Sequence, residues 1–384
     1  MNVTVLERGK RLGGRARSFN DAEYGLSVDN AQHILLGCCD FARSFLDTIG
    51  SLHDVEFCDT ITFVDGSGKT LDIRSSVLPA PLHLLPSIAR TGYLNARDKI
   101  ALATILAGAL LKKPGKDIAA IEYLRSLSRS DAAIGKVIDP ILVSALNERM
   151  DTASAGYARM VLTKSLIESK HGYTLGIPRV PLSKLIAGPA ERYLSDAGCE
   201  IHTGQEVSGV CLDTDRVTHI QTRSGERLPF DYYVFAMPPW SLQAIGLDAR
   251  GGEDLIWRSI TSAHIFFDGQ LPPFDRVCLV DQPFQWVFNK SRDFGLRRAY
   301  VQAVASACEG MSRLTNANLA EMALTAAAKA EPRLAELRPI RVIILRNKRA
   351  TFSTAPACDA IRPSANTPLA NVFLAGDWTD TRWP

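Results

Sequence analysis

The stretch Asn2 to Glu7, N-V-T-V-L-E, alternates apolar and polar residues and stops at an acid. A Gly-rich basic turn, Arg8 to Arg15, follows at once. Alternation of period two reads as a half-buried strand. A carboxylate at the end of such a strand is where a dinucleotide-binding βαβ unit holds ribose hydroxyls. In a complete unit that acid lies about 20 residues after G-x-G-x-x-G. Here six residues precede Glu7, and the chain carries no G-x-G-x-x-G. Either Glu7 is a simple strand-end acid, or the sequence begins inside the motif. On the second reading, in-frame sequence upstream, about 20 to 30 residues long, encodes a strand and the missing loop. Gly13 and Gly14 permit close backbone approach to a ligand, and Arg15 offers a fork for pyrophosphate oxygens. A flexible basic loop is the plainer alternative.

Farther along, Ile61 to Ile73 reads as a hairpin around D-G-S-G-K. Gly68-Lys69-Thr70 imitates the end of a Walker A loop, but Phe63 stands where its first glycine belongs and a strand follows instead of a helix. A nucleoside-triphosphate site is therefore rejected. From Val77 the chain turns Pro-punctuated and apolar, then helical through Leu127. Its longest apolar run, Ile100 to Leu111, spans about 18 Å as a helix, against about 30 Å for a bilayer core. Lys99 and Lys112-Lys113 bracket it, which suits either a core helix of a cap domain or a segment that touches lipid. Leu182 to Ala197 reads as a helix stopped by Gly198. Short strands between Glu200 and Met237 read as a β-meander. The chain closes on Val372 to Leu374 running into Ala375-Gly376-Asp377-Trp378, a buried strand that delivers a glycine and an acid.

Composition adds exclusions. Lys and Arg number 44 against 41 Asp and Glu, a net +3, too even for a nucleic-acid partner. The eight cysteines are scattered without a C-x-x-C pair, so no zinc ribbon or other metal site is expected, and reduced thiols in a cytoplasmic protein are the simplest reading. A lone histidine such as His33, in D-N-A-Q-H-I-L-L-G, is more often structural than catalytic.

Taken together, V-x-V-L-E-x-x-x-R-L-G-G-R-A-R-S at 3–18 and L-A-G-D-W at 374–378 resemble the FAD-dependent amine oxidase and phytoene desaturase superfamily. D-N-A-Q-H-I-L-L-G at 29–37, P-I-L-V-S-A-L-N-E at 140–148, K-R-A-T-F at 348–352 and L-A-G-D-W-T-D-T-R-W-P at 374–384 are similar to the hydroxysqualene dehydroxylase branch. The likeness departs at Ala31, where a glycine is usual, and at Asn347, where an acid is usual.

The resemblance implies a mixed α/β fold. A Rossmann-like FAD domain is expected from discontinuous segments, 1–75, 176–250 and 340–384. A largely helical plus β substrate domain is expected from 76–175 and 251–339. FAD is the implied cofactor, with Glu7 on the adenosine ribose, Gly13, Gly14 and Arg15 along the pyrophosphate and flavin, Val207 beside the adenine, and Gly376 and Asp377 at the diphosphate and ribitol. Gln32 and His33 fall in the segment that approaches the flavin ring, and His33 is the motif-embedded candidate acid. The implied substrate is a long apolar isoprenoid, and the implied reaction is reductive dehydroxylation of hydroxysqualene to squalene. Polyene desaturation, amine oxidation with Trp378 and Trp383 as aromatic walls, and a non-catalytic fragment stay open. Peripheral contact with the inner face of a membrane is expected through 78–113. Oligomeric state is not legible.

Overall fold

The computed structural model describes residues 2–21, 25–115 and 117–381. Its largest feature is a seven-stranded mixed sheet. In order across the sheet the strands are Pro339–Phe352, Trp257–Phe267, Ala299–Ser306, Trp286–Asn289, Arg276–Leu279, Thr60–Val64 and Thr70–Arg74. Alternation sorts the two faces. Ala263, Ile265, Phe267, Val301, Ala303 and Ala305 bury against the helix Asn316–Ala330. Residues of the opposite parity, among them Ile260, Phe288, Val304 and Trp286, turn toward the helical core of residues 84–167. The helix Asp139–Leu146 is fastened to that face: Trp286 Nε1 donates to Ser144 Oγ at 2.6 Å.

Two smaller sheets are parallel pairs. Thr4–Glu7 pairs with Glu200–Thr203, and Tyr233–Phe235 pairs with Val372–Leu374. Each joins segments more than 130 residues apart, which makes this half of the molecule discontinuous in sequence. The expected meander over 200–237 is corrected here. Only Val207–Asp213, Arg216–Thr222 and Arg227–Leu228 form an antiparallel sheet, and its flanking strands leave for those parallel partners. Strands of alternating pattern look the same whichever partner they take, so local sequence could not separate them.

The hairpin forms as read, with Val64 opposite Thr70. Asp65 closes its turn by accepting from the Ser67 N–H at 2.9 Å, Ser67 Oγ at 2.7 Å and the Lys69 N–H at 3.1 Å. Lys136 adds an ion pair at 2.7 Å, and these donors hold the Asp65 carboxyl below its usual range against its burial. D-G-S-G-K is thus an acid-locked turn. The hairpin enters the large sheet through Cys278 opposite Phe63 and Leu279 opposite Val64. The expected boundaries at 75 and 340 therefore do not coincide with the sheet, because 60–74 and 339–352 form its two edges.

The helix Ala96–Leu111 starts on Asn95, whose Oδ1 accepts from the Asp98 N–H at 2.9 Å. Ala101, Leu102, Ile105 and Ala109 face the core, while Ile100 and Leu111 stand in solvent. No helix among the described residues is long and apolar enough to cross a membrane. All eight cysteines are free thiols.

Candidate functional site

Glu7 ends its strand and turns its Oε1 back to accept from the Gly9 N–H at 2.5 Å. The Gly204 N–H donates to the Gly9 carbonyl at 2.8 Å, and the Gln205 N–H to the Glu7 carbonyl at 3.0 Å. These bonds lace the 204–205 loop to the strand end and bring in Val207, which opens the next strand half-buried. Beyond the basic turn, Gly13 adopts φ +109°, and a Cβ there would stand 2.9 Å from the Ala16 carbonyl oxygen. Gly14 has φ +54°, with nothing within 4 Å of the place a Cβ would take.

Arg15 then crosses the molecule. Its Nη1 donates to the Ala350 carbonyl at 2.5 Å, and its Nη2 to Asp377 Oδ1 at 2.6 Å. Residues 362 positions apart thereby share one site. Gly376 sits at φ +143°, and a Cβ would come within 2.9 Å of the Trp378 ring. Trp378 itself is buried and donates through Nε1 to the Met237 carbonyl at 3.0 Å. Its indole packs in the core. Trp383 lies outside the described residues.

His33 belongs to the same neighbourhood. Burial and the nearby Arg15 charge push its imidazole down to about 4, so the ring is neutral at pH 7. The segment is pinned from behind. Gln32 donates to the His33 carbonyl at 3.2 Å and accepts from Lys290 Nζ at 2.9 Å. Lys290 is fully buried, 3.8 Å from Asp293 and 4.0 Å from the Phe294 ring centroid. Burial pushes its ammonium pKa down, against the opposing pull of Asp293 and Asp29. Asp29 is likewise buried and accepts from Ser18 Oγ at 2.7 Å and from the Leu182 N–H at 3.0 Å. Sequence reasoning missed Lys290, since F-N-K-S-R reads as an ordinary basic turn and carries no sign that its lysine goes inside.

The donor set suits a dinucleotide: a strand-end carboxylate for ribose, a guanidinium for a diphosphate, and open space beside Gly14 for close backbone approach. A family model for flavin-containing amine oxidoreductases matches residues 1–271. The chain belongs to that family. It is a FAD-dependent oxidoreductase. Among curated relatives of this flavin-containing chain is hydroxysqualene dehydroxylase of Rhodopseudomonas palustris, 28% identical over 400 residues and covering 100% of this chain and 88% of that protein. The protein of the same name from Zymomonas mobilis is 25% identical, with 100% and 89% covered. A solved oxidoreductase from Methanosarcina mazei superposes with a TM-score of 0.73 at 16% identity, covering 98% of this chain and 89% of that one. That likeness shows the fold, in keeping with the expected mixed α/β class.

Proposed function

We propose that this flavin-containing oxidoreductase reduces hydroxysqualene, a long allylic alcohol, to squalene. The observation that carries the reading is the match to hydroxysqualene dehydroxylases along the whole chain. The apolar sheet face beside the site supports it. Glu7, Gly13, Gly14, Arg15, Val207, Gly376 and Asp377 are the residues proposed to hold FAD. In its reduced form FAD would supply the hydride that takes the place of the hydroxyl, which leaves as water after taking up one proton. The chain's own task is to orient the allylic carbon, hold the leaving oxygen, and exclude water. Anaerobic incubation of the flavin-loaded protein with hydroxysqualene and a reductant tests this, with squalene followed by gas chromatography. Squalene is the expected product. Peroxide from an amine, with no squalene, overturns the reading.

Burial and the Arg15 charge favour the uncharged imidazole of His33, so it enters this scheme as a hydrogen-bonding group. A general acid commonly contributes about 100-fold or more. His33→Gln is therefore expected to keep turnover within about tenfold of wild type. A loss of about 100-fold or more, with FAD still bound, would restore His33 as the proton donor.

Peripheral membrane contact through 78–113 is also proposed. Within that segment Ile100 and Leu111 are 68% and 83% exposed, an unusual display for large apolar residues. Ile105 is fully buried, so a charge at that position reports on folding and not on lipid. Ile100→Asp combined with Leu111→Asp is expected to abolish flotation with anionic liposomes while thermal stability stays nearly unchanged. Wild-type protein that never floats would remove the proposal.

A further inference from the structure

On the face of the large sheet that looks toward the helical core, buried uncharged polar side chains gather at the centre of two neighbouring strands. On the Trp257–Phe267 strand they are Ser262 and His264, and on the Ala299–Ser306 strand Gln302. His264 lies directly opposite Gln302, and Ser262 opposite Val304. Phe288 flanks Gln302 on its other side, and Leu345 flanks Ser262 on its other side. Ser262 and Gln302 are thus diagonal neighbours on one face, close enough for one ligand group to touch both.

Both side chains are enclosed, 1% and 0% exposed. Yet Ser262 Oγ, Gln302 Oε1 and Gln302 Nε2 have no hydrogen-bond partner among the described residues. Buried polar atoms are nearly always paired, so three orphans side by side call for an occupant. His264 is half engaged: its Nδ1 meets Tyr300 Oη at 2.7 Å, while its Nε2, like those atoms, has no partner among the described residues. Burial and the Lys290 charge push its ring down to about 3, so it stays neutral. Ser262 and Gln302 themselves offer uncharged donors and acceptors, beside Phe288, Val304 and Leu345, with the buried Arg276 beyond Phe288 in the same row.

We infer that Ser262 and Gln302 bind the hydroxyl of an otherwise apolar alcohol and so fix which carbon faces the reaction. A hydroxyl is at once donor and acceptor, as are the serine hydroxyl and the glutamine amide, and it carries no charge to be left uncompensated. The inference rests on the dehydroxylase reading for the identity of the alcohol. The orphaned atoms themselves do not depend on it.

The test is a titration of the FAD-loaded full chain with hydroxysqualene and, separately, with squalene, read from the visible flavin spectrum. Wild type is expected to bind the alcohol about tenfold or more tighter than the hydrocarbon. Gln302→Leu is expected to abolish most of that preference with FAD occupancy intact, and Ser262→Ala to reduce it in part. Gln302→Leu removes unpaired polar atoms, so its thermal midpoint should not fall. If it nevertheless fails to fold, Ser262→Ala decides the matter by the same ratio. An unchanged alcohol-to-hydrocarbon ratio in the folded variants overturns the inference, and so does loss of FAD in Gln302→Leu, which would give the amide to the cofactor. Selective alcohol binding without squalene formation would instead sink the dehydroxylase reading and leave this site standing.

Discussion

Glu148→Ala is expected to cost about 3–5 kcal/mol of stability, the usual penalty for removing one partner of a buried ion pair. Glu148 is 1% exposed. Its Oε2 accepts from Arg258 Nε at 2.6 Å and from Ser353 Oγ. Its Oε1 accepts from Thr152 Oγ1 at 2.7 Å and from the Arg149 N–H at 3.1 Å. Asn147, just before it, holds a left-handed φ of 50°. Its amide donates to Thr351 Oγ1 at 2.9 Å and accepts from the Ala307 N–H at 2.7 Å. Together the two residues tie the end of the helix Asp139–Leu146 to three strands of the large sheet. Truncating Glu148 leaves the Arg258 guanidinium without its counter-charge in a nearly enclosed place. Urea unfolding should show the loss as a lower midpoint. Glu148→Gln keeps the oxygen acceptor and should lose less, about 1–3 kcal/mol. A change within about 0.5 kcal/mol for Glu148→Ala, the range of an ordinary surface substitution, would show that the pair carries no such weight.

The second large effect concerns cofactor affinity. Asp377→Ala is expected to weaken FAD by roughly 10- to 150-fold, equivalent to about 1.5–3 kcal/mol for a charge-assisted hydrogen bond. Asp377 is partly exposed, and besides its proposed ligand contact it anchors Arg15 at 2.6 Å. Its removal therefore also releases the guanidinium proposed to meet the diphosphate. Asp377→Asn retains an acceptor for Arg15 and should fall between. Fluorescence titration of FAD into each protein measures the ratio, with thermal midpoints as the control for folding. Equal affinity in wild type and Asp377→Ala would remove Asp377 from the cofactor site.

Local features of the fold were legible because local physics makes them. The strand to Glu7 and the turn at Asp65 each follow from residues within a few positions of one another. The Arg15–Asp377 pair was approached from both ends of the sequence through two motifs, although nothing in either motif states that the two side chains meet. What stayed hidden depends on pairing at long range. Ser262 and Gln302 look like polar positions of two amphipathic strands until their register places both on a buried face. The signature P-I-L-V-S-A-L-N-E suggested kinship, but its Asn147 and Glu148 turn out to fasten a helix to a sheet.

The placement of the 60–74 hairpin at one edge of the large sheet has a consequence for how the chain is made. Its parallel neighbour, Arg276–Leu279, is synthesised more than 200 residues later. At about 5–20 residues per second the Thr60–Val64 edge waits on the order of 10–40 s for that partner. During this interval Ile61, Phe63 and Val64, all buried in the finished molecule, have an open strand edge beside them. Translation speed between codons 75 and 276, and chaperone occupancy over the same window, should therefore govern the yield of soluble protein more strongly than changes after residue 279.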